Sequence, residues 1–99
     1  LHAVDIITGQ RAWYQPPPAL KCTPGTATCN AALISAPTLV PGVLFSGSND
    51  GGLRAYGTRD GSVLWEFDTN QDFTTLNRVR ASGGAIQGPG PTIAGGMMY

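Results

Sequence analysis

The side chains best suited to chemistry crowd into one stretch. Between Thr69 and Ser82 lie Asn70, Asp72, Asn77, Arg78 and Arg80, followed by the pair Gly83-Gly84. Guanidinium and amide groups are donors for an anionic ligand, and a glycine pair lets backbone come close to one. The same residues also suit a plain solvated loop. Asp50 and Asp72 are the carboxylates that could be offered as a base, but nothing in the sequence pairs either with a partner, and no catalytic residue is assigned. A metal ion needs several converging oxygen ligands, and no carboxylate cluster is visible, so no metal ligand is assigned either. Cys22 and Cys29 lie in a loop rich in Pro, Thr and Gly. No second cysteine pair follows, and His2 is the single histidine, which leaves zinc without ligands. A c-type haem would need Cys-x-x-Cys-His. Two readings remain: a disulfide that staples the loop in an oxidising compartment, or two free thiols.

Composition narrows the class. The chain has 99 residues and a formal net charge of zero, with 12% charged residues, about half the roughly 25% usual for globular domains. Fourteen Gly and eight Pro make more than a fifth of the chain turn-forming, against an average of roughly 12%. A neutral chain has no electrostatic footprint for nucleic acid and no polybasic patch for anionic lipid. Apolar runs are short and broken by Gly or Pro, which excludes a membrane-spanning helix. At 41% hydrophobic residues, with two Trp and three Tyr, disorder is excluded as well. The chain begins at Leu1 and closes on the apolar run Gly96-Met97-Met98-Tyr99; both suggest a piece of a longer protein.

The elements that position these residues come from an internal repeat. The segment from Leu1 to Trp13 aligns with that from Leu53 to Trp65 at an offset of 52, matching Leu1/Leu53, Ala3/Ala55, Gly9/Gly61 and Trp13/Trp65. A second pair, Ala36 to Gly42 and Gly90 to Gly96, repeats at an offset of 54, with Pro37/Pro91, Thr38/Thr92, Leu39/Ile93 and Gly42/Gly96 in register. Periods of about 40 to 50 residues are those of propeller blades. In the complete copy, four strands are expected: Ala32–Leu39 as a buried inner strand, Val43–Gly47 after the Pro41-Gly42 turn, Leu53–Gly57, and Ser62–Asp68 with its alternating Val63, Trp65 and Phe67. Asp60-Gly61 reads as a hairpin turn, and Thr8-Gly9 holds the same place in the first copy. Nothing has helical periodicity.

Four-stranded sheets repeated around an axis make a β-propeller. The expected fold is therefore all-β, a propeller fragment of about two four-stranded antiparallel blades. Residues 1–14 would end one blade, 32–68 would form a complete one, and 83–99 would start the next. Blades bury both faces against neighbours, which accounts for the low charge. A ring needs about four to eight blades, so the chain should leave open strand edges and an exposed face at each end. The topology puts Tyr14 to Ala31, Ser48 to Gly52 and Thr69 to Ser82 at one rim, and the tight turns at Thr8-Gly9 and Asp60-Gly61 at the other. Long loops on a rigid scaffold are where sites usually lie.

The pattern Ala3-x-Asp5-x-x-Thr8-Gly9-x-x-x-Trp13 resembles the tryptophan-docking motif of the pyrroloquinoline-quinone (PQQ) dehydrogenase propellers. The copy at Ala55, Gly61 and Trp65 departs from it, with Gly57 in place of Asp and Asp60 in place of Thr. The resemblance implies that each Trp packs on the neighbouring blade near the Ala and Gly positions, and that the complete ring has eight blades. The loss of the polar pair should weaken the side-chain hydrogen bonds of the second turn. Phe45-Ser46-Gly47-Ser48-Asn49-Asp50-Gly51-Gly52-Leu53-Arg54-Ala55-Tyr56 looks like a late-blade stretch of quinoprotein alcohol dehydrogenases. Trp65 to Thr69, Phe73 to Asn77 and Gly83 to Pro91 are similar to the polyvinyl-alcohol dehydrogenase-like branch.

That branch implies a periplasmic enzyme using PQQ with Ca²⁺, moving hydride from an alcohol's carbinol carbon to the quinone and passing electrons to a cytochrome c. PQQ is an acidic, planar quinone, so its site needs cationic and amide donors. Asn77, Arg78, Arg80, Gly83 and Gly84 are the candidates for holding it. The base and metal ligands would come from other blades. His2, aligned with Arg54, is expected on an outward or blade-interface position. The alternative is a noncatalytic propeller of the same superfamily, such as an outer-membrane assembly lipoprotein, acting as a protein-binding scaffold.

Overall fold

A computed structural model describes residues 1–23 and 29–99. The described chain is all-β, with ten short strands and no helix. At its centre is a four-stranded antiparallel sheet made of β3 (Thr38–Val40), β4 (Val43–Gly47), β5 (Gly52–Gly57) and β6 (Val63–Asp68), in chain order. Three hairpins flank it: β1 (His2–Val4) with β2 (Arg11–Tyr14), β7 (Asp72–Thr74) with β8 (Arg80–Ser82), and β9 (Ile93–Ala94) with β10 (Met97–Met98). A four-stranded antiparallel meander is the make-up expected of one propeller blade.

The repeat is visible in the hydrogen-bond ladders. Ala3 pairs with Trp13 in the first hairpin and Ala55 with Trp65 in the sheet, and in both the register shifts just after the alanine. The turns also match: the amide of Gly9 donates to the Asp5 carbonyl and that of Gly61 to the Gly57 carbonyl, both at 2.8 Å. Gly9 and Gly61 have φ of 71° and 74°, which non-glycine residues adopt at a cost. The second turn keeps two side-chain hydrogen bonds against three in the first, where the Gln10 amide also donates to Thr8 Oγ1 at 3.3 Å. Asp5 Oδ1 accepts from the amides of Ile7 and Thr8, and Asp60 Oδ1 accepts from the amide and hydroxyl of Ser62 at 3.0 and 2.7 Å. The carboxylate has moved along the turn and still closes it.

Trp13 packs across onto the central sheet. Its indole Nε1 donates to the carbonyl of Thr58 at 2.9 Å. Its ring lies on Gly61, where a Cβ would come within 2.5 Å of the six-membered ring. One Trp thus ties the β1–β2 hairpin to the β5–β6 turn through a contact that only a bare backbone permits.

Two stretches differ from expectation. The inner strand is confined to Thr38–Val40. Residues 32–37 pair elsewhere: the Ala36 amide donates to Gly88 O and the Ala32 carbonyl accepts from the Asn49 amide, while Pro37 has no N–H for a ladder. The stretch from Thr69 to Ser82, expected as an irregular loop, contains the β7–β8 hairpin with Phe73 opposite Ala81. Its β-branched Thr74, Thr75 and Val79 flank a turn at Asn77-Arg78, where Arg78 takes a φ of 63°. The sheet is also less buried than a stacked blade: Ala55 and Tyr56 are the buried apolar residues of the described chain, while Trp65 stands 44% exposed.

Candidate functional site

Loops gather at one end of the sheet around the turn from Ser48 to Gly52. The Lys21 amide, beside Cys22, donates to Asp50 Oδ2 at 3.1 Å. The Asn49 amide bonds Ala32 O, the Thr69 amide bonds Gly51 O and the Ile86 amide bonds Ser48 O. Gln87 Nε2 donates to Asn49 Oδ1 at 2.5 Å. The three segments assigned to one rim thus meet there, joined by the start of the following segment.

A buried ionic network fixes this turn. Ser48, Asp50 and Arg54 are at most 1% exposed. Arg54 donates through Nε to Glu66 Oε1 at 2.5 Å, through one terminal nitrogen to Ser48 Oγ at 2.6 Å, and through the other to Asp50 Oδ2 at 3.1 Å. Ser48 Oγ also donates to Asp50 and lies against the Gly52 carbonyl. Lys21 Nζ closes the set on Glu66 Oε2 at 2.8 Å. The guanidinium lies flat on Gly52, where a Cβ would collide with it.

Charge and burial act against each other here. Burial pushes the Asp50 carboxyl up, but hydrogen bonds from Arg54, Ser48 and the amides of Gly52 and Lys21 outweigh it and hold its pKa at about 2. The hydrogen bond from Lys21, with help from Arg54, lowers the pKa of Glu66 against its partial burial. Burial pulls Arg54 down, and Asp50 and Glu66 more than restore it. All three groups therefore stay charged at neutral pH. A carboxylate so stabilised is a poor proton acceptor; Asp50 is structural and not a base. Sequence reasoning missed this network. Its signal was present, because a hairpin closed at Asp60-Gly61 puts Arg54 opposite Glu66 on the ladder.

The five candidate ligand residues fall into different roles. Asn77 Oδ1 accepts from the Thr75 hydroxyl and, at 3.4 Å, from the Val79 amide, within the hairpin turn. Arg80 pairs with exposed Asp72 at 2.8 Å. The side chain of Arg78 makes no ion pair or hydrogen bond among the described residues, and it extends from the exposed tip. Gly83 has a packing reason to be glycine, since a Cβ there would strike the Thr69 carbonyl. Gly84 is open, and its carbonyl accepts from Thr69 Oγ1 at 2.6 Å. The structure thus brings Gly83 and Gly84 to the Gly51-Thr69 junction, with Asn77, Arg78 and Arg80 on the β7–β8 arm.

Cys22 and Cys29 form a disulfide, with Cα atoms 5.6 Å apart; the residues 24–28 between them lie outside the described chain. His2 is exposed on β1, its ring 4.6 Å from that of Tyr14. Leu1, Pro16, Pro17, Leu33 and Tyr56 line an apolar cleft of about 340 Å³.

No family model matches the chain, and no solved structure matches it. Curated proteins do. Over its whole length the chain is 44% identical to the polyvinylalcohol dehydrogenase of a Pseudomonas species, and 44% identical to that of Sphingopyxis sp. strain 113P3. The chain resembles polyvinylalcohol dehydrogenase from end to end. It spans 16% and 15% of the lengths of these two relatives. The likeness read from the Asn77 and Gly83-Gly84 stretches is borne out.

Proposed function

We propose that this chain forms part of a PQQ-dependent dehydrogenase that oxidises alcohols, with polyvinyl alcohol or other secondary alcohols as substrate. The observation that carries this reading is the 44% identity to two polyvinylalcohol dehydrogenases across the whole chain. The four-stranded sheet and the Trp13–Gly61 contact support a propeller of the quinoprotein type, with residues 1–14, 32–68 and 83–99 belonging to three successive blades of a ring of eight. The disulfide supports a periplasmic location, because such bonds persist in oxidising compartments. A cytochrome c is the proposed electron acceptor.

The residues present do not fit PQQ as a complete site. Arg78 is the free guanidinium of the three polar candidates, Asn77 and Arg80 being engaged within their hairpin. Among the described residues no three His, Cys, Asp or Glu converge to hold Ca²⁺. The contribution assigned to this chain is scaffolding. The Arg54 network holds the Ser48–Gly52 turn, and that turn holds the cysteine loop and the base of the β7–β8 arm. The base and the metal ligands are assigned to other blades of the full-length protein.

The test uses the full-length protein that carries this chain, supplied with PQQ and Ca²⁺, in a dye-linked oxidation assay with primary, secondary and polymeric alcohols. Oxidation that requires both additions is expected. No oxidation of any of them would overturn the enzyme reading and leave a noncatalytic scaffold.

A further inference from the structure

The cysteine loop stands on two feet, and both are fastened to the same place. On the way in, the Lys21 amide donates to Asp50 Oδ2 at 3.1 Å, and Lys21 Nζ pairs with Glu66 Oε2 at 2.8 Å. On the way out, the Ala32 carbonyl accepts from the Asn49 amide at 3.0 Å, and the Ala32 amide donates to Asn30 Oδ1 at 3.1 Å. Asn49 and Asp50 are successive residues of the Ser48–Gly52 turn. Cys22 directly follows Lys21 and Cys29 directly precedes Asn30; both are half-buried, and their disulfide joins the two feet. Each of these contacts is closed within the chain, so none depends on what a neighbouring blade supplies.

Neither foot is held strongly by itself. The Lys21–Glu66 pair is about one-third exposed on each side, and such pairs contribute little. Every other attachment to the turn is one hydrogen bond, whose net worth is small where water can replace it. The disulfide shortens the tether between the feet. While one foot is seated, the other is held at high effective concentration beside its own partner and reseats quickly. With the bond open, the tether is the chain from 22 to 29, and each foot opens separately. Asp50 keeps Arg54, Ser48 and the Gly52 amide in either case, so the turn itself persists.

We propose that Cys22 and Cys29 form a redox latch on the Ser48–Gly52 turn. As a disulfide they clamp Lys21 and Ala32 onto Asp50 and Asn49; as two thiols they let the Lys21 foot leave. The latch closes by thiol–disulfide exchange with a disulfide oxidant. One cysteine thiolate attacks the oxidant's disulfide, the second attacks the mixed disulfide so formed, and the oxidant leaves as a dithiol carrying two electrons and two protons. A reducing dithiol runs the same steps backwards. A chain made in a reducing compartment is therefore unlatched, and it latches on reaching an oxidising one. The inference stands on the geometry of this loop and is independent of the dehydrogenase reading.

Trypsin reads the latch directly, because the Lys21 ammonium must leave Glu66 to enter the protease. The test uses the full-length protein that carries this chain, in its oxidised form, reduced with dithiothreitol, and reoxidised. Mass spectrometry follows the cut between Lys21 and Cys22. That cut should be at least about tenfold faster after reduction and slow again after reoxidation, while the cut after Arg59, in the β5–β6 turn, keeps one rate throughout. The double variant Cys22→Ser/Cys29→Ser should be cut after Lys21 at the fast rate with or without dithiothreitol. Equal rates at Lys21 in oxidised and reduced wild type would overturn the proposal. So would an equal rise at Arg59, which marks general unfolding. A double variant as resistant as oxidised wild type would overturn it too, since another cysteine pair then carries the sensitivity. Should circular dichroism show the double variant unfolded, the three forms of wild type decide alone, and a fast rate that reoxidation does not reverse counts against the latch.

Discussion

Replacing Arg54 by Met should cost this chain a large part of its stability. The guanidinium is fully buried and serves Asp50, Ser48 and Glu66 at 3.1, 2.6 and 2.5 Å. Met keeps the length of the stem and removes every donor. Asp50, itself 1% exposed, then loses its countercharge. Stranding one member of a buried ion pair costs roughly 3–5 kcal/mol. A domain of this size has about 5–15 kcal/mol in total. With a urea slope near 1 kcal/mol per molar, the midpoint of a urea titration followed by Trp emission should fall by about 3–5 M. Lys21→Met is the control: its pair with Glu66 is about one-third exposed on each side, and such pairs contribute about 0–1 kcal/mol. Adding Asp50→Asn to Arg54→Met removes the stranded charge and keeps an acceptor for the Gly52 amide. That double variant should be no less stable than Arg54→Met alone. A loss below about 1 kcal/mol for Arg54→Met, or strictly additive costs for the two changes, would refute the reasoning.

Other outcomes follow from the same geometry. The Asp50 carboxyl is held below its ordinary 3.8, at about 2, so its stabilisation is present above pH 4 and lost as pH falls from about 4 to 2; unfolding free energies at pH 6 and pH 2 should differ by roughly 2 kcal/mol from this group, and Asp50→Asn should flatten that slope. Gly61→Ala forces a Cβ to within 2.5 Å of the Trp13 ring at a φ of 74°; it should cost about 2–4 kcal/mol and shift Trp13 emission to the red, whereas unchanged emission would count against the docking. Thiol titration of the denatured, unreduced chain should find no free cysteine, given the Cys22–Cys29 bond. Reducing it should lower stability by about 2–3 kcal/mol, the loop-closure value for so short a loop.

The hairpins were legible in the sequence because turn chemistry and repetition point the same way. Gly9 and Gly61 fall 52 residues apart, each four residues before a Trp, and both ladders place that Trp opposite an alanine. The inner strand was overextended because an apolar run from Ala32 to Leu39 looks like a buried strand whichever neighbours its amides choose. Gly88 and Asn49, distant in sequence, claim backbone groups at Ala36 and Ala32. The β7–β8 hairpin is hard to read because the polar Asn70, Asp72, Asn77, Arg78 and Arg80 interrupt its β-branched flanks and leave no apolar alternation to mark the strands. The Arg54 network was the largest omission. Asp50 reads as a candidate base and Arg54 only as the repeat partner of His2 until the Ser48–Gly52 turn brings Asp50 onto the guanidinium.

The account depends most on one hairpin docking on the next, since that contact makes the repeat a built structure. Nuclear Overhauser spectroscopy on the Trp65→Ala chain isolates it, leaving Trp13 as the single indole. Cross-peaks from the Trp13 ring to the Gly61 α-protons, with an indole N–H protected from exchange by the Thr58 carbonyl, are the result expected from the observed geometry. A freely exchanging indole N–H with no contact to Gly61 would contradict the account.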